Sequence, residues 1–148
     1  PEWPPERALY LSKLEQQIAG SGLSSRIRFA GARAKVPAIM NEATVLALPI
    51  IQEETFGTVA LEALSAGLPV VTFASGGLPE LVEDGVTGTV CAEPTVESLV
   101  SGIERYLLDP AVRARASKAT LRRFADPAST YSRESFERNW SSLFQERF

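Results

Sequence analysis

Three uncharged runs of strand length constrain the fold of this chain most. They cover residues 44–51, 69–74 and 87–92, and no charged residue interrupts any of them. An unbroken apolar run fits a parallel strand that is buried on both faces. Residues 54–66, an acidic loop that leads into an alanine-rich helix, and a helix over residues 78–82 separate the runs. Strand–helix repeats with short loops form right-handed βαβ units, so the sequence predicts an α/β fold, a Rossmann-like parallel sheet with flanking helices.

Further elements are predicted on either side of these runs. A helix over residues 6–19 precedes a short strand over residues 26–31, where charged and apolar side chains alternate. Other helices are predicted over residues 36–43, 95–106, 111–124 and 129–148, the last with Phe136, Trp140, Leu143 and Phe144 on one face. A chain of 148 residues suits one domain with one core. We expect its sheet and helices over about 6–107 and its C-terminal helices over about 111–148.

The composition excludes several classes of function. The chain has no histidine and one cysteine, Cys91, which excludes Ser-His and Cys-His catalysis, an intramolecular disulfide and most zinc sites. We expect Cys91 to be a buried strand residue. A net charge of −3 provides no excess of positive charge for binding nucleic acid. No apolar run approaches the ~20 residues that span a bilayer and no signal peptide is evident, so we expect a cytoplasmic protein.

The helix over residues 111–124 is basic and has two interpretations. It carries Arg113, Arg115, Lys118, Arg122 and Arg123. These cations could form an anion site, or they could form a solvated face balanced by acids elsewhere. The sequence alone favours the solvated face.

Two carboxylates flank the start of the central helix. Glu54 lies in the loop and Glu62 lies in the helix, eight residues later. Gly57 precedes the helix and permits close approach to its free amides, which attract anions. Carboxylates accept hydrogen bonds from sugars, so the segment suits a ligand with an anionic centre and hydroxyl groups on both sides.

An ordered series of motifs resembles one enzyme family. The motifs are Pro49, residues 54–57 (Glu-Thr-Phe-Gly), residues 62–71, residues 76–82 and residues 84–88. The succession is similar to the C-terminal, donor-binding domain of retaining glycosyltransferases of the GT-B fold, family 4 (glycosyl transferases group 1), over about residues 6–145. The resemblance implies transfer of a sugar from a nucleotide-diphosphate sugar to a glycan or glycoconjugate. It also implies retention of the anomeric configuration and no metal or other cofactor.

The resemblance also implies roles for individual residues. Glu54, the candidate catalytic residue, is similar to the glutamate that accepts hydrogen bonds from donor-sugar hydroxyls, and Glu62 is similar to the one that holds the ribose. The backbone amides expected to face the pyrophosphate and the sugar belong to Phe56, Gly57, Thr58 and Val59. Arg33 and Lys35 occupy the place where the family contacts the base. Gly76 and Gly77 fit either a ligand contact or a turn that enters the next helix.

Parts of the family's architecture are missing from the sequence. The first two strands of the domain, the cationic segment between them and the whole N-terminal domain are absent, so an empty gap is expected between the strands at Ile27 and Val45. We expect the missing half or another chain, such as a swapped copy, to complete the sheet, unless non-neighbouring strands pair directly. The chain alone is expected to be inactive, and the full enzyme can associate peripherally with a membrane. The alternative is a non-catalytic binding or scaffolding subunit of a transferase assembly.

Overall fold

The chain divides into two compact units. A computed structural model describes residues 5–33, 36–52, 54–126, 129–132, 134–135 and 137–138. By the contacts between residues, the units are Pro1–Ala34 and Lys35–Phe148, where the sequence predicts a single domain. The four apolar residues expected on one face of a terminal helix, Phe136, Trp140, Leu143 and Phe144, lie outside the described residues.

The described residues of the first unit form one helix followed by an irregular segment. Helix α1 (Pro5–Ser21) confirms the predicted helix and ends before Gly22, which has a φ of 74°. The strand predicted over residues 26–31 is wrong, because this segment forms no strand and leaves Ile27 and Phe29 44% and 46% exposed. Alternating side chains suit a strand, but a strand also needs a backbone partner, and no described residue pairs with this segment.

The second unit alternates helices and strands in the predicted order. Its elements are α2 (Val36–Glu42), β1 (Leu46–Leu48), α3 (Thr58–Ser65), β2 (Val70–Phe73), α4 (Leu78–Leu81), β3 (Gly88–Cys91), α5 (Val96–Leu108) and α6 (Pro110–Ala125). Within the described residues the strands form one parallel sheet in the order β1-β2-β3, and Val70 is the register partner of both Leu46 and Gly88. The α/β prediction is therefore confirmed.

Strand β1 is shorter than the apolar run that predicts it. The run covers residues 44–51, whereas the strand ends at Leu48. Pro49 follows and has no N–H group to donate to a ladder. The chain then turns, and the Ile50 N–H group donates to the Leu48 carbonyl at 2.9 Å.

The central strand β2 is buried on both faces. Successive side chains of a strand point to opposite faces, so Val70 packs on one side and Val71 and Phe73 on the other. Val70 belongs to a cluster formed mainly by residues of α2, α3 and α4, and Val71 and Phe73 belong to a second cluster with Cys91, Tyr106 and Ala116. The predicted core thus consists of two clusters, one on each face of the sheet. Cys91 is buried at the end of β3, as expected.

Side-chain caps mark the starts of α5 and α6. The Thr95 hydroxyl accepts a hydrogen bond from Ser98 N–H at 3.2 Å. The Asp109 carboxylate accepts from Val112 N–H at 3.0 Å and from Ala111 N–H at 2.9 Å. The hydrogen bond from Val112, then that from Ala111 and the nearby charge of Arg115, hold the pKa of Asp109 below its usual value. Each cap satisfies backbone donors that have no partner within the helix.

Arg123 connects α6 to the end of α4. Its guanidinium donates to the Leu81 carbonyl at 2.7 Å and to the Glu80 carbonyl at 3.1 Å. It also lies 5.0 Å from the ring centroid of Tyr131, whose hydroxyl donates to the Glu80 carbonyl at 3.2 Å. The last carbonyls of a helix lack partners within it, so these contacts stabilise the end of α4.

Replacing Arg123 with methionine is expected to lower the free energy of unfolding by about 2 kcal/mol, because two carbonyls lose a charged donor. Urea unfolding followed by circular dichroism measures the change. The matched control is Arg122→Met, since Arg122 is exposed and its side chain makes no hydrogen bond with a described residue. That control should change the free energy by no more than about 0.5 kcal/mol. Equal losses in the two variants would contradict a specific role for Arg123.

Candidate functional site

Two loops meet at the carboxyl edge of the sheet. One leads from β1 to α3 and the other leads from β2 to α4. The Ser75 hydroxyl donates to the Gln52 carbonyl at 2.6 Å, and the Gly77 N–H group donates to the Glu54 carbonyl at 2.9 Å. The carboxyl ends of parallel strands are where α/β proteins bind ligands. The two loops therefore build one site rather than two independent turns.

Gly76 allows the loops to approach this closely. Its φ is 50°, and a Cβ atom built on it would fall on the carbonyl oxygen of Glu54. Gly77 precedes α4, and a Cβ atom there would lie 3.0 Å from the Thr55 carbonyl oxygen. Of the two interpretations left open by the sequence, the structure supports the turn and helix entry, and the direct ligand contact stays a prediction.

Gly57 starts α3 in a left-handed conformation. Its φ is 71° and its ψ is 46°, a region that side chains with a Cβ atom enter only at a cost. A Cβ atom would also lie 2.7 Å from Leu78 Cδ2 and 3.0 Å from Leu81 Cδ1, and both leucines are buried. Glycine is therefore required at position 57 for two reasons, the left-handed backbone angle and the packing of α4 against this residue.

The Glu54 carboxylate is held by the amides of its own loop. Its Oε1 atom accepts a hydrogen bond from Gly57 N–H at 3.1 Å and a longer one from Phe56 N–H at 3.4 Å. The side chain is half-buried. These contacts fix the direction of the carboxylate at the start of α3 and occupy two of the amides that the sequence assigns to a ligand.

The next amides of α3 have no acceptor in the part of the chain that the structure describes. Among the described residues, none accepts a hydrogen bond from the N–H groups of Thr58, Val59 or Ala60, and no side chain caps the helix. Such a helix start carries partial positive charge and attracts anions. Glu62 follows on the same helix and is exposed. Phe56 and Val59 are 55% and 45% exposed, so apolar surface borders the free amides.

The structure brings most of the predicted site residues together, but not all of them. Glu54, the amides of residues 56–59 and Glu62 lie on one loop and the helix that follows it. Arg33 is exposed and belongs to the first unit. Lys35 lies outside the described residues. The roles of Arg33 and Lys35 therefore stay predictions.

Sequence reasoning missed the side chains that join the two loops. Ser75 is 8% exposed and binds Gln52, 23 residues earlier in the chain. Thr72, at the end of β2, is fully buried and donates to the Leu48 carbonyl at 2.9 Å. A hydroxyl residue within or directly after a buried strand is the signal that could have pointed to them, since buried hydroxyl groups need partners.

The described part of the chain contains neither a metal-binding cluster nor a membrane-spanning helix. No group of three or more histidine, cysteine, aspartate or glutamate side chains there could hold a metal ion. No helix within those residues combines the length and apolar character that crossing a membrane requires. The expectation of a metal-free reaction stays a prediction.

Comparison with known proteins identifies the family. The family model described as "Glycosyl transferases group 1" matches residues 9–123. The chain belongs to this family. It is 38% identical over 124 residues to D-inositol 3-phosphate glycosyltransferase of Mycolicibacterium paratuberculosis, covering 82% of this chain and 26% of that protein. It is 34% identical over 120 residues to lipopolysaccharide glucosyltransferase WaaG of Escherichia coli, covering 81% and 32%. The chain thus spans about a quarter to a third of the length of these relatives.

Solved structures of glycosyltransferases share the fold. The Anabaena protein Alr3699/HepE in complex with UDP matches with a TM-score of 0.85 and 27% identity, covering 97% of this chain and 38% of that one. WaaG matches with a TM-score of 0.70 and 30% identity, covering 83% and 32%. These matches confirm the predicted GT-B C-terminal fold, with its Rossmann-like parallel sheet and flanking helices.

Proposed function

We propose that this chain is the donor-binding domain of a retaining glycosyltransferase that uses a nucleotide-diphosphate sugar. The observation that carries the proposal is the start of α3, where amides without an acceptor among the described residues lie between two carboxylates. Family membership supports it, and the similar HepE protein has been solved with UDP and with UDP-glucose. The acceptor is proposed to be a glycan or glycoconjugate.

The amides at the start of α3 bind the diphosphate in this proposal. Thr58 and Val59 donate from the first turn of the helix, and Gly57 leaves their backbone open to the ligand. A diphosphate gains from both the hydrogen bonds and the positive end of the helix dipole. The same groups stabilise the charge that develops on the departing diphosphate, which is an electrostatic contribution to catalysis.

Glu54 accepts hydrogen bonds from the donor sugar. Its Oε1 atom is already held by Gly57 and Phe56, which leaves Oε2 directed by the loop to accept from a hydroxyl group. A carboxylate fixed before binding loses little conformational freedom when the sugar arrives. In this role Glu54 touches the sugar beside the reacting carbon and positions it for transfer.

The nucleoside is held on the other side of the diphosphate. Glu62 accepts hydrogen bonds from the ribose, and the exposed surface of Phe56 and Val59 covers apolar parts of the donor. Arg33 and Lys35 contact the base. No metal is needed in this scheme, since the backbone amides compensate the negative charge of the diphosphate.

Other parts of the enzyme complete the reaction. Because the chain spans about a quarter to a third of its relatives, we place the acceptor site in a further half of the protein or in another chain, which includes a swapped copy. The full enzyme works in the cytoplasm and can associate peripherally with a membrane. The 148-residue chain alone binds the donor without turning it over.

Glu62→Ala is expected to weaken binding of the preferred nucleotide sugar by about 10- to 100-fold, because a hydrogen bond to a charged group is lost. Calorimetric titration of the chain with UDP-glucose, GDP-mannose and ADP-glucose measures the affinities. The matched control, Glu104→Ala, removes an exposed glutamate of α5 and should leave them unchanged. If the unmodified chain binds none of the three sugars, the donor-binding proposal is wrong. Release of nucleoside diphosphate by the chain alone would contradict only the expectation that the isolated chain is inactive.

A further inference from the structure

A basic cleft lies between α5, α6 and the turn that enters β3. It has a volume of about 360 Å³, and the turn lines it with Gly85 and Val86. The helices line it with Arg105, Arg115, Lys118 and Arg122 and with three apolar residues. Four of these residues are cations and none is acidic. The turn precedes β3 in a parallel sheet, so it lies at the amino edge. The cleft is therefore at the edge opposite to the candidate donor site.

The basic residues of α6 divide into two groups. Arg113 and Arg123 are half-buried and bind backbone carbonyls, those of Tyr106 at 3.3 Å and Leu81 at 2.7 Å. The residues that line the cleft from α6, Arg115, Lys118 and Arg122, are exposed and recur at i, i+3 and i+7. The side chains of these three form no hydrogen bond or ion pair with any described residue.

The charge of this second group is not balanced by acids on its own helix. Helix α6 contains no acidic residue, so none of its cations has a carboxylate partner on the helix. Asp109 interacts electrostatically with Arg115, and its Oδ1 atom accepts hydrogen bonds from the amides of Ala111 and Val112. Like charges at i, i+3 and i, i+4 repel each other. Four cations therefore lie together around one cleft, although the net charge of the chain is −3.

We propose that this cleft is a second anion site, which binds a phosphate group carried by a soluble phosphate compound or by a lipid headgroup. Arginine presents a planar fork that matches phosphate oxygens, and the cleft offers three arginines beside one lysine. Val112, Ala116 and Ala119 add apolar surface to its lining. The volume lies within the usual range of small-molecule sites.

The test is a ¹⁵N–¹H NMR titration of the 148-residue chain with sodium pyrophosphate, beside sedimentation with lipid vesicles. Signals of Gly85, Val86 and the α6 amides should shift saturably, separately from any response at the start of α3. Saturable binding of pyrophosphate assigns the site to a soluble phosphate. Binding only to phosphatidylglycerol vesicles, and not to phosphatidylcholine vesicles, assigns it to a lipid headgroup.

Charge-matched variants separate the cleft from general attraction. Arg115→Gln, Lys118→Gln and Arg122→Gln together should weaken binding by a factor on the order of 100. The control combines Lys13→Gln, Arg26→Gln and Arg28→Gln, which removes three exposed cations of the first unit. It should weaken binding by no more than about threefold, as expected for screened charges at a distance. Equal weakening by both triple variants, or absence of binding in both arms, would overturn the proposal.

Discussion

Gly76→Ala is expected to lower the free energy of unfolding of the second unit by about 3–5 kcal/mol. Three costs add. The φ of 50° is strained for alanine, the new methyl group would fall on the Glu54 carbonyl oxygen, and the hydrogen bond from Gly77 to that oxygen is lost as the loops separate. Because the obstacle is backbone, no side-chain rotation can relieve it. A loss of this size is a large part of the stability of an ordinary domain.

The control for Gly76→Ala is a glycine that also has a positive φ but whose surroundings leave room for a methyl group. Gly85 belongs to the same unit, has a φ of 74° and would place a Cβ atom no closer than 3.9 Å to Arg105. Gly85→Ala should therefore cost only about 1–2 kcal/mol, the cost of the left-handed conformation. Urea unfolding of the two variants measures the difference. A Gly76→Ala variant as stable as Gly85→Ala would show that the loops do not depend on their close contact.

The strands could be predicted from the sequence where burial of both faces requires apolar residues. Strand β2 is buried on both faces, so every position from Val70 to Phe73 holds a side chain suited to burial. The resulting uncharged run predicts the strand. The segment at Ile27 carries a strand pattern without forming a strand, because pairing depends on a partner that the local sequence does not contain. The end of β1 at Leu48 follows from Pro49, a local signal that the length of the apolar run concealed.

The candidate site was predictable as far as its residues are adjacent in sequence. Glu54, Gly57 and Glu62 lie on one loop and one helix, so motif and spacing suffice to group them. The contact of the Glu54 carboxylate with the Gly57 amide depends on a side-chain conformation, which sequence does not encode directly. The bond between Ser75 and Gln52 joins residues 23 positions apart and emerges only when β1 and β2 pair.

Gly57→Ala is expected to affect both stability and donor binding. The φ of 71° costs about 1–2 kcal/mol in alanine, and contact with two buried leucines adds overpacking, for a total of about 2–4 kcal/mol. Leu78→Val removes the nearer obstacle, a methyl carbon that would lie 2.7 Å from the new Cβ atom. In the Leu78→Val protein, the loss of unfolding free energy caused by Gly57→Ala should fall toward the cost of the left-handed backbone alone. A double-mutant cycle measures this coupling.

Donor binding decides whether Gly57 also serves the ligand. Alanine at this position shifts the backbone of residues 57 and 58, which moves the Thr58 amide and the Glu54 carboxylate that the residue 57 amide holds. The preferred nucleotide sugar should therefore bind at least about 10-fold more weakly, the effect of one lost hydrogen bond to a charged group. Calorimetry on the folded variant, well below its unfolding temperature, separates this effect from stability. The Gly85→Ala variant, strained in the same way at the opposite edge of the sheet, should keep its affinity. A folded Gly57→Ala protein with unchanged affinity would mean that the amides at the start of α3 do not hold the diphosphate.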